Sequence, residues 1–153
     1  MSRSEELAAN LADVNARITR AAEQAGRDPA SITLVAVTKT WPASDAALLR
    51  DLGVVDLAEN RDQQASQKAA EIGGVRWHFV GQVQTNKARA VRRDADVVHS
   101  VDRVRLADAL HDAADDDARR LDVLVQVNLT DDPARGGVAP KGVEDLAEHI
   151  LAR

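Results

Sequence analysis

Five short apolar runs, each followed by a helical pattern, are the feature that most constrains the fold of this chain. The predicted strands cover residues 31–39, 54–58, 75–80, 96–99 and 121–128. Short gaps separate each run from a stretch in which apolar residues keep helical spacing. This regular alternation is typical of parallel βα units joined by right-handed crossovers. The sequence therefore predicts an α/β fold built on a parallel sheet.

Helices are predicted at both ends of the chain. Ser2 and Glu5 have the spacing of a capping box, and a long amphipathic helix follows until Gly26. Near the other end, a periodic helix that begins at about Pro140 continues to Arg153 without a C-capping signal. We interpret that ending as an interrupted chain.

Two architectures fit five βα units. A doubly wound sheet is complete at five strands, whereas a (β/α)₈ barrel typically needs about 250 residues and would be cut off here. The first strand is not followed by Gly-x-Gly-x-x-Gly, which weakens the dinucleotide-binding version of the doubly wound sheet. With 153 residues, of which 44% are hydrophobic and 29% charged, one soluble domain over residues 1–153 is expected.

Composition excludes several classes of function. The formal net charge of -5 gives no general attraction to nucleic acid or to anionic membranes. The chain has no cysteine, which excludes disulfides, thiolate catalysis and cysteine-ligated metal. The N-terminus lacks an apolar signal segment, and no apolar run approaches membrane-spanning length. A cytoplasmic location is therefore expected.

Lys39, at the end of the first predicted strand, is the leading candidate for chemistry. In an α/β fold, the C-terminal end of a strand opens onto the face where ligands bind. Partial burial of an amine at that position favours its uncharged form, which attacks a carbonyl carbon and forms an imine. The alternative is that Lys39 ends the strand and extends into solvent.

Other polar residues also lie at the predicted C-terminal ends of the strands. The full set is Lys39, Glu59, Asn60, His78, His99, Ser100, Gln126 and Asn128. Because these ends surround one mouth in an α/β fold, the recurrence indicates a shared site. The structural alternatives are helix capping by Asn60 or by His99 and Ser100, a hydrogen-bonded wall position for His78, and anchoring of the Gly136-Gly137 loop by Gln126 and Asn128.

Five motifs follow one another between about residues 32 and 138. They are Leu34-Val-Ala-Val-Thr-Lys39-Thr, Ala58-Glu-Asn60-Arg, Arg76-Trp-His-Phe-Val-Gly81-Gln-Val-Gln-Thr-Asn86-Lys87, His99-Ser-Val-Asp102 and Asp122-Val-Leu-Val-Gln-Val-Asn128. Together these motifs resemble those of the pyridoxal phosphate homeostasis proteins, which in turn resemble the barrel domain of alanine racemase.

The resemblance implies a (β/α)₈ TIM-type barrel with an extra N-terminal helix, represented here by about its first five strands. It implies that pyridoxal 5′-phosphate (PLP) is held as an imine on Lys39 without catalytic turnover, as part of intracellular PLP homeostasis. The implied partners are this cofactor and PLP-dependent apo-enzymes, without nucleic acid or membrane. The cofactor-binding positions that it implies are Lys39, Asn60, His78, His99 and Asn128, with Asn86 also near the mouth and with no catalytic or metal-binding residue.

One departure from the family pattern concerns the C-terminal part. The later strands of the family carry a Ser/Gly-rich phosphate-binding segment and an arginine near the pyridine nitrogen, and neither has a counterpart before Arg153. We therefore interpret the sequence as a fragment that is incomplete at its C-terminus. The alternative is that a second copy supplies the missing strands.

Two other functions are compatible with part of the pattern. A PLP-dependent racemase or decarboxylase needs a positioned proton donor and acceptor. Alanine racemases resemble this chain but use a tyrosine as second base, and the sequence contains no tyrosine. A metal-dependent barrel hydrolase would use Glu59, His78 and His99, although these residues lack the close spacing of metal ligands.

Overall fold

The computed structural model describes residues 1–115, 119–132 and 134–153. Its strands are β1 (Ala36–Val37), β2 (Asp56–Glu59), β3 (Arg76–Phe79), β4 (Val97–Val101) and β5 (Asp122–Val125). Its α-helices are α1 (Arg3–Gln24), α2 (Ala43–Asp51), α3 (Asp62–Glu71), α4 (Ala88–Asp94), α5 (Val104–Asp112) and α6 (Val143–Leu151). Short 3₁₀ helices cover Pro29–Ser31, Thr85–Lys87 and Pro140–Gly142.

The five strands form one parallel sheet in the order β1-β2-β3-β4-β5. Every strand therefore pairs with the next strand along the chain, which is the arrangement of a (β/α)₈ barrel. A doubly wound sheet would instead reverse its strand order at a switch point. The strand order thus confirms the barrel prediction and excludes the doubly wound alternative.

The N-terminal helix begins as the sequence predicts. The Ser2 hydroxyl accepts the Glu5 N–H at 3.3 Å, and the Ser2 N–H donates to Glu5 Oε2 at 2.6 Å. These two bonds form the capping box, and Gly26 follows the helix with a φ of 65°. Arg3 anchors α1 to α2 through two bonds to Asp45 Oδ2, at 2.6 and 3.0 Å. No helix in the described ranges combines the length and the apolar character needed to cross a membrane.

The hydrophobic core lies between the sheet and its helices. One cluster contains Leu57, Trp77, Ala46 and Ile72, and the other contains Phe79, Val98, Val91, Leu106 and Leu110. Because side chains alternate along a strand, the residues between these positions point to the opposite side. We call this opposite side the inner face, and it carries Val37, Asp56, His78, His99 and Leu124.

The first and last strands are shorter than the sequence predicts. β1 pairs only with β2 in the described chain, so its ladder is limited to Ala36 and Val37 and to the Thr38 N–H, which donates to Ala58 O at 2.9 Å. Ser31, the first residue of the predicted strand, belongs instead to the 3₁₀ helix Pro29–Ser31. β5 likewise ends at Val125, and beyond it the chain pairs instead with the loop residue Val138 through an isolated bridge at Val127.

Candidate functional site

Lys39 lies in a tight turn directly after β1. The turn covers residues 38–41 and is closed by the Trp41 N–H, which donates to Thr38 O at 3.1 Å. Thr40 occupies its third position with a φ of 68°, a left-handed conformation that a β-branched residue rarely adopts. The Lys39 side chain is exposed, and within the described residues its ammonium has no hydrogen-bond partner.

The partial burial expected for Lys39 is therefore wrong. The inner face of the sheet is open to solvent at its outer strands, as the exposure of Val37 (46%) in β1 and Leu124 (48%) in β5 demonstrates. A lysine at the end of β1 consequently meets water rather than a covering layer. The amine is accessible to a small molecule that approaches this face.

The strand register places three of the predicted residues at one level of the sheet. Val37 pairs with Ala58, Ala58 with His78, and His78 with Val97. The positions two residues farther along β1, β2 and β4 are Lys39, Asn60 and His99. These three positions therefore come at the C-terminal edge of the sheet, where His99 lies within β4 and Lys39 and Asn60 follow the ends of β1 and β2.

A hydrogen-bonded chain crosses the inner face from Asp56 to His99. His78 Nε2 lies 2.7 Å from Asp56 Oδ1, and His78 Nδ1 lies 2.8 Å from His99 Nε2. Since a carboxylate only accepts, His78 Nε2 carries a hydrogen and donates it to Asp56. When His78 is neutral, its Nδ1 then accepts the N–H of His99 Nε2, which leaves His99 Nδ1 as an acceptor.

His99 is held in its neutral form. Burial, and secondarily the nearby charges of His78 and Arg76, lowers the pKa of His99 below its ordinary value of 6.5. At neutral pH this ring can therefore both donate and accept a hydrogen bond. His78 is buried and hydrogen-bonded, which agrees with the alternative of a wall position. It also holds the His99 ring through the bond to its Nε2.

Glu59 does not line the mouth, contrary to the sequence-based prediction. Glu59 is fully buried against the helices, where its Oε1 pairs with Lys68 Nζ and accepts the Thr38 hydroxyl at 2.6 Å. Ser100 is buried as well. The error arises because neighbouring residues of a strand point to opposite faces.

The position of Glu59 also contradicts the metal-hydrolase alternative. Glu59 lies on the helix side of the sheet, whereas His78 and His99 lie on the inner face. In the part of the chain that the structure describes, no group of three or more His, Cys, Asp or Glu side chains is arranged to hold a metal ion.

The helix-capping alternatives are wrong. The N-cap of α3 is Arg61 rather than Asn60, and it makes no side-chain capping bond. The N-cap of α5 is Arg103, so His99 and Ser100 do not cap that helix. The backbone of Asn60 instead packs closely against Gly81, where an added Cβ atom would lie only 2.8 Å from the Asn60 carbonyl carbon.

Asn128 anchors the loop that follows β5. Its Nδ2 donates to the carbonyl groups of Asp132 and Arg135 at 3.1 and 3.2 Å, and its Oδ1 accepts the Thr130 N–H at 2.8 Å. The loop alternative is therefore confirmed for Asn128. In the same loop, the Gly137 N–H donates to Asp102 Oδ2 at 3.1 Å, so this backbone N–H is already hydrogen-bonded to a carboxylate.

Sequence reasoning missed Thr38, Asp56 and Lys68. Lys68 could have been found, because it shares the apolar stripe of α3 with Ala65, Ala69 and Ile72 at helical spacing. A lysine on a core-facing stripe indicates a buried partner, which the structure identifies as Glu59. Asn86 lies exposed in the 3₁₀ helix Thr85–Lys87.

Comparisons with known proteins agree with this geometry. The family model described as alanine racemase, N-terminal domain, matches residues 8–153. The pyridoxal phosphate homeostasis protein of Pseudomonas aeruginosa is 40% identical over 146 residues, which cover 94% of this chain. The chain spans 64% of the length of that curated relative.

Two solved structures share the fold. PipY of Synechococcus elongatus, solved with PLP bound, gives a TM-score of 0.72 at 32% identity, over 87% of this chain and 63% of PipY. Alanine racemase of Corynebacterium glutamicum gives a TM-score of 0.60 at 18% identity, over 92% of this chain and 40% of the enzyme, which is a likeness of fold alone. The strand order, the motifs and these matches lead to one conclusion: the chain belongs to the alanine racemase N-terminal domain family, and within it the chain is similar to the pyridoxal phosphate homeostasis proteins.

Proposed function

We propose that this chain binds PLP covalently through Lys39 and acts as a carrier in cytoplasmic PLP homeostasis, passing the cofactor to apo-enzymes without turning over a substrate. The observation that carries the proposal is the accessible Lys39 amine at the C-terminal end of β1, level with Asn60 and His99. The name of the Pseudomonas aeruginosa relative and the PLP bound to PipY support it.

The lysines of the chain differ in how accessible their amines are to the aldehyde group of PLP. A primary amine condenses with an aldehyde to form a C=N bond, with the loss of one water molecule. Lys39 is exposed, whereas Lys68 is buried and bonded to Glu59 and Thr38. Lys87 is ion-paired with Asp62 at 3.0 Å. Lys141 is exposed too but lies in the 3₁₀ helix Pro140–Gly142, so Lys39 is the exposed lysine at the end of a strand.

The remaining predicted residues take distinct roles in this proposal. Asn60 and His99 stand at the level of Lys39 and supply an amide and a neutral imidazole as hydrogen-bonding groups. His78 acts through His99, because it is buried between His99 and Asp56. Asn128 supports the mouth by holding the loop after β5.

A PLP-dependent racemase or decarboxylase is the second candidate function. One observation favours it: the Asp56–His78–His99 chain ends at the level of Lys39 and could transfer a proton there. Carriage of the cofactor needs no such proton transfer, so we favour the carrier.

The carrier proposal is tested by locating the attachment. Incubation with PLP, reduction with borohydride and peptide mass mapping should place the pyridoxyl group on Lys39. Lys39→Arg keeps the positive charge but cannot form an imine, so its label should disappear. Lys141→Arg serves as the matched control at an exposed position. Equal labelling of Lys87 and Lys141, or persistent labelling of Lys39→Arg at wild-type yield, would refute the assignment.

A further inference from the structure

Every polar group of Thr38, the residue directly before Lys39, takes part in a hydrogen bond. Its N–H donates to Ala58 O at 2.9 Å, and its hydroxyl donates to Glu59 Oε1 at 2.6 Å. Its carbonyl oxygen accepts Lys68 Nζ at 2.7 Å and the Trp41 N–H at 3.1 Å. The backbone that leads into Lys39 is thus fixed from the helix side of the sheet.

The turn that contains Lys39 needs such support. Thr40 has a φ of 68°, and a β-branched residue in the left-handed region stores strain that persists only where surrounding contacts impose it. The bond that closes the turn ends on the Thr38 carbonyl, which is the same oxygen that Lys68 holds. The Lys68 ammonium therefore fixes the acceptor on which the turn depends.

The Glu59–Lys68 pair is an unusual choice for a core position. Both residues are buried, with Glu59 at 0% and Lys68 at 5% exposure. Burying two opposite charges is often less favourable than packing two apolar side chains of similar volume. Glu59 Oε1 receives both bonds, whereas Oε2 has no partner within the described ranges. Stability alone does not account for a pair that is only partly satisfied.

We propose that Glu59 and Lys68 are positioning residues, which hold the 38–41 turn through Thr38 and so place the Lys39 amine for covalent attachment. This inference rests on the proposed function. Both side chains are buried on the helix side of the sheet, whereas Lys39 is exposed in the turn. They therefore act through the backbone, and Lys68 itself takes no aldehyde.

The test distinguishes an effect on the 38–41 turn from a general loss of stability. In the double variant Glu59→Leu/Lys68→Met, apolar side chains replace the ion pair, so the core stays filled and no buried charge is left alone. Glu59→Gln is the second variant, which keeps the shape of the side chain but removes the charge opposite Lys68. Leu110→Ala is the control, because it opens a cavity under α5 without touching the turn.

Two measurements are made on each protein. The first is hydrogen exchange of the Trp41 amide by NMR, which reports the bond to Thr38 without any cofactor. The second is the PLP concentration that gives half-maximal borohydride-trapped label on Lys39. Both are measured under conditions where urea unfolding shows every variant to be folded.

The double variant should exchange its Trp41 amide at least about tenfold faster and should need about ten- to a hundred-fold more PLP, as expected for a misplaced reacting group. Leu110→Ala should match wild type in both. Thr38→Ser, which keeps the hydroxyl, should attach PLP as wild type does, whereas Thr38→Val should attach it less well.

The positioning role would be overturned if the folded double variant exchanged its Trp41 amide and attached PLP as wild type does. It would also be overturned if PLP attached more weakly while the exchange rate of the Trp41 amide stayed unchanged. If the double variant does not fold, Glu59→Gln decides by the same two readouts. If wild-type protein shows no label on Lys39, the carrier proposal is refuted. The exchange rate of the Trp41 amide would still decide whether the Glu59–Lys68 pair holds the turn.

Discussion

Gly81→Ala should destabilise the protein more than an alanine at Gly73 or Gly136 does. The added Cβ atom would lie 2.8 Å from the Asn60 carbonyl carbon and 3.0 Å from its Cα. These are backbone atoms, so they cannot swing aside as a side chain does. The end of β3 must therefore separate from β2, where the Val80 N–H donates to Glu59 O at 2.9 Å.

The expected cost follows from these two effects. Overpacking a close contact costs about 1 to 3 kcal/mol. Loss of one backbone hydrogen bond adds about 0.5 to 1.5 kcal/mol. We expect a decrease of about 2 to 4 kcal/mol in the free energy of unfolding, and a Tm lower by about 5 to 15 °C for a chain of this size.

Urea unfolding followed by circular dichroism measures this change, with two matched controls. Gly73→Ala introduces a Cβ with no atom within 4 Å, so its stability should stay near wild type. At Gly136 the added Cβ meets only the flexible amide of Gln82, so Gly136→Ala should cost less than about 1 kcal/mol. A Gly81→Ala protein within about 0.5 kcal/mol of wild type would refute the reasoning.

Three further outcomes are expected. The pKa of His99 is lowered in the folded state, so the unfolded chain takes up a proton more readily, and stability should fall as the pH drops below about 6.5. His99→Gln should flatten this dependence in urea unfolding between pH 8 and 5.5, and an unchanged slope would count against it. If two charge-assisted hydrogen bonds to the phosphate are missing, the chain should bind PLP about two to four orders of magnitude more weakly than the full-length Pseudomonas aeruginosa relative. Titrations followed by imine absorbance measure both affinities, and equal affinities would contradict this expectation. Chiral chromatography should detect no alanine racemisation, and turnover near about 10 s⁻¹ would favour the enzyme instead.

Local sequence patterns were sufficient to predict the elements of the fold. The capping box at Ser2 and Glu5 and the alternation of apolar runs with helical spacing depend on neighbouring residues. These parts of the structure could be predicted because no distant contact decides them.

Tertiary contacts decide the parts that could not be predicted. A buried parallel strand is apolar on both faces, so the run that precedes Glu59 carries no alternation to show which side Glu59 faces. The bond between His78 and His99 depends on the register between β3 and β4, which neither strand encodes alone. The length of β1 was overestimated because pairing with β2, rather than β-propensity, sets it.

The consecutive strand order has a consequence for how the protein forms. Pairing between strands that are adjacent in sequence closes only short loops, which lowers the entropic cost of each step and favours rapid folding. Lys39, Glu59 and Lys68 all lie within the stretch from β1 to α3, so this part can assemble during synthesis before β4 and β5 leave the ribosome. The amine would then be in place on a nascent chain, and protection of the Trp41 amide should be among the earliest detected in pulse-labelling hydrogen exchange.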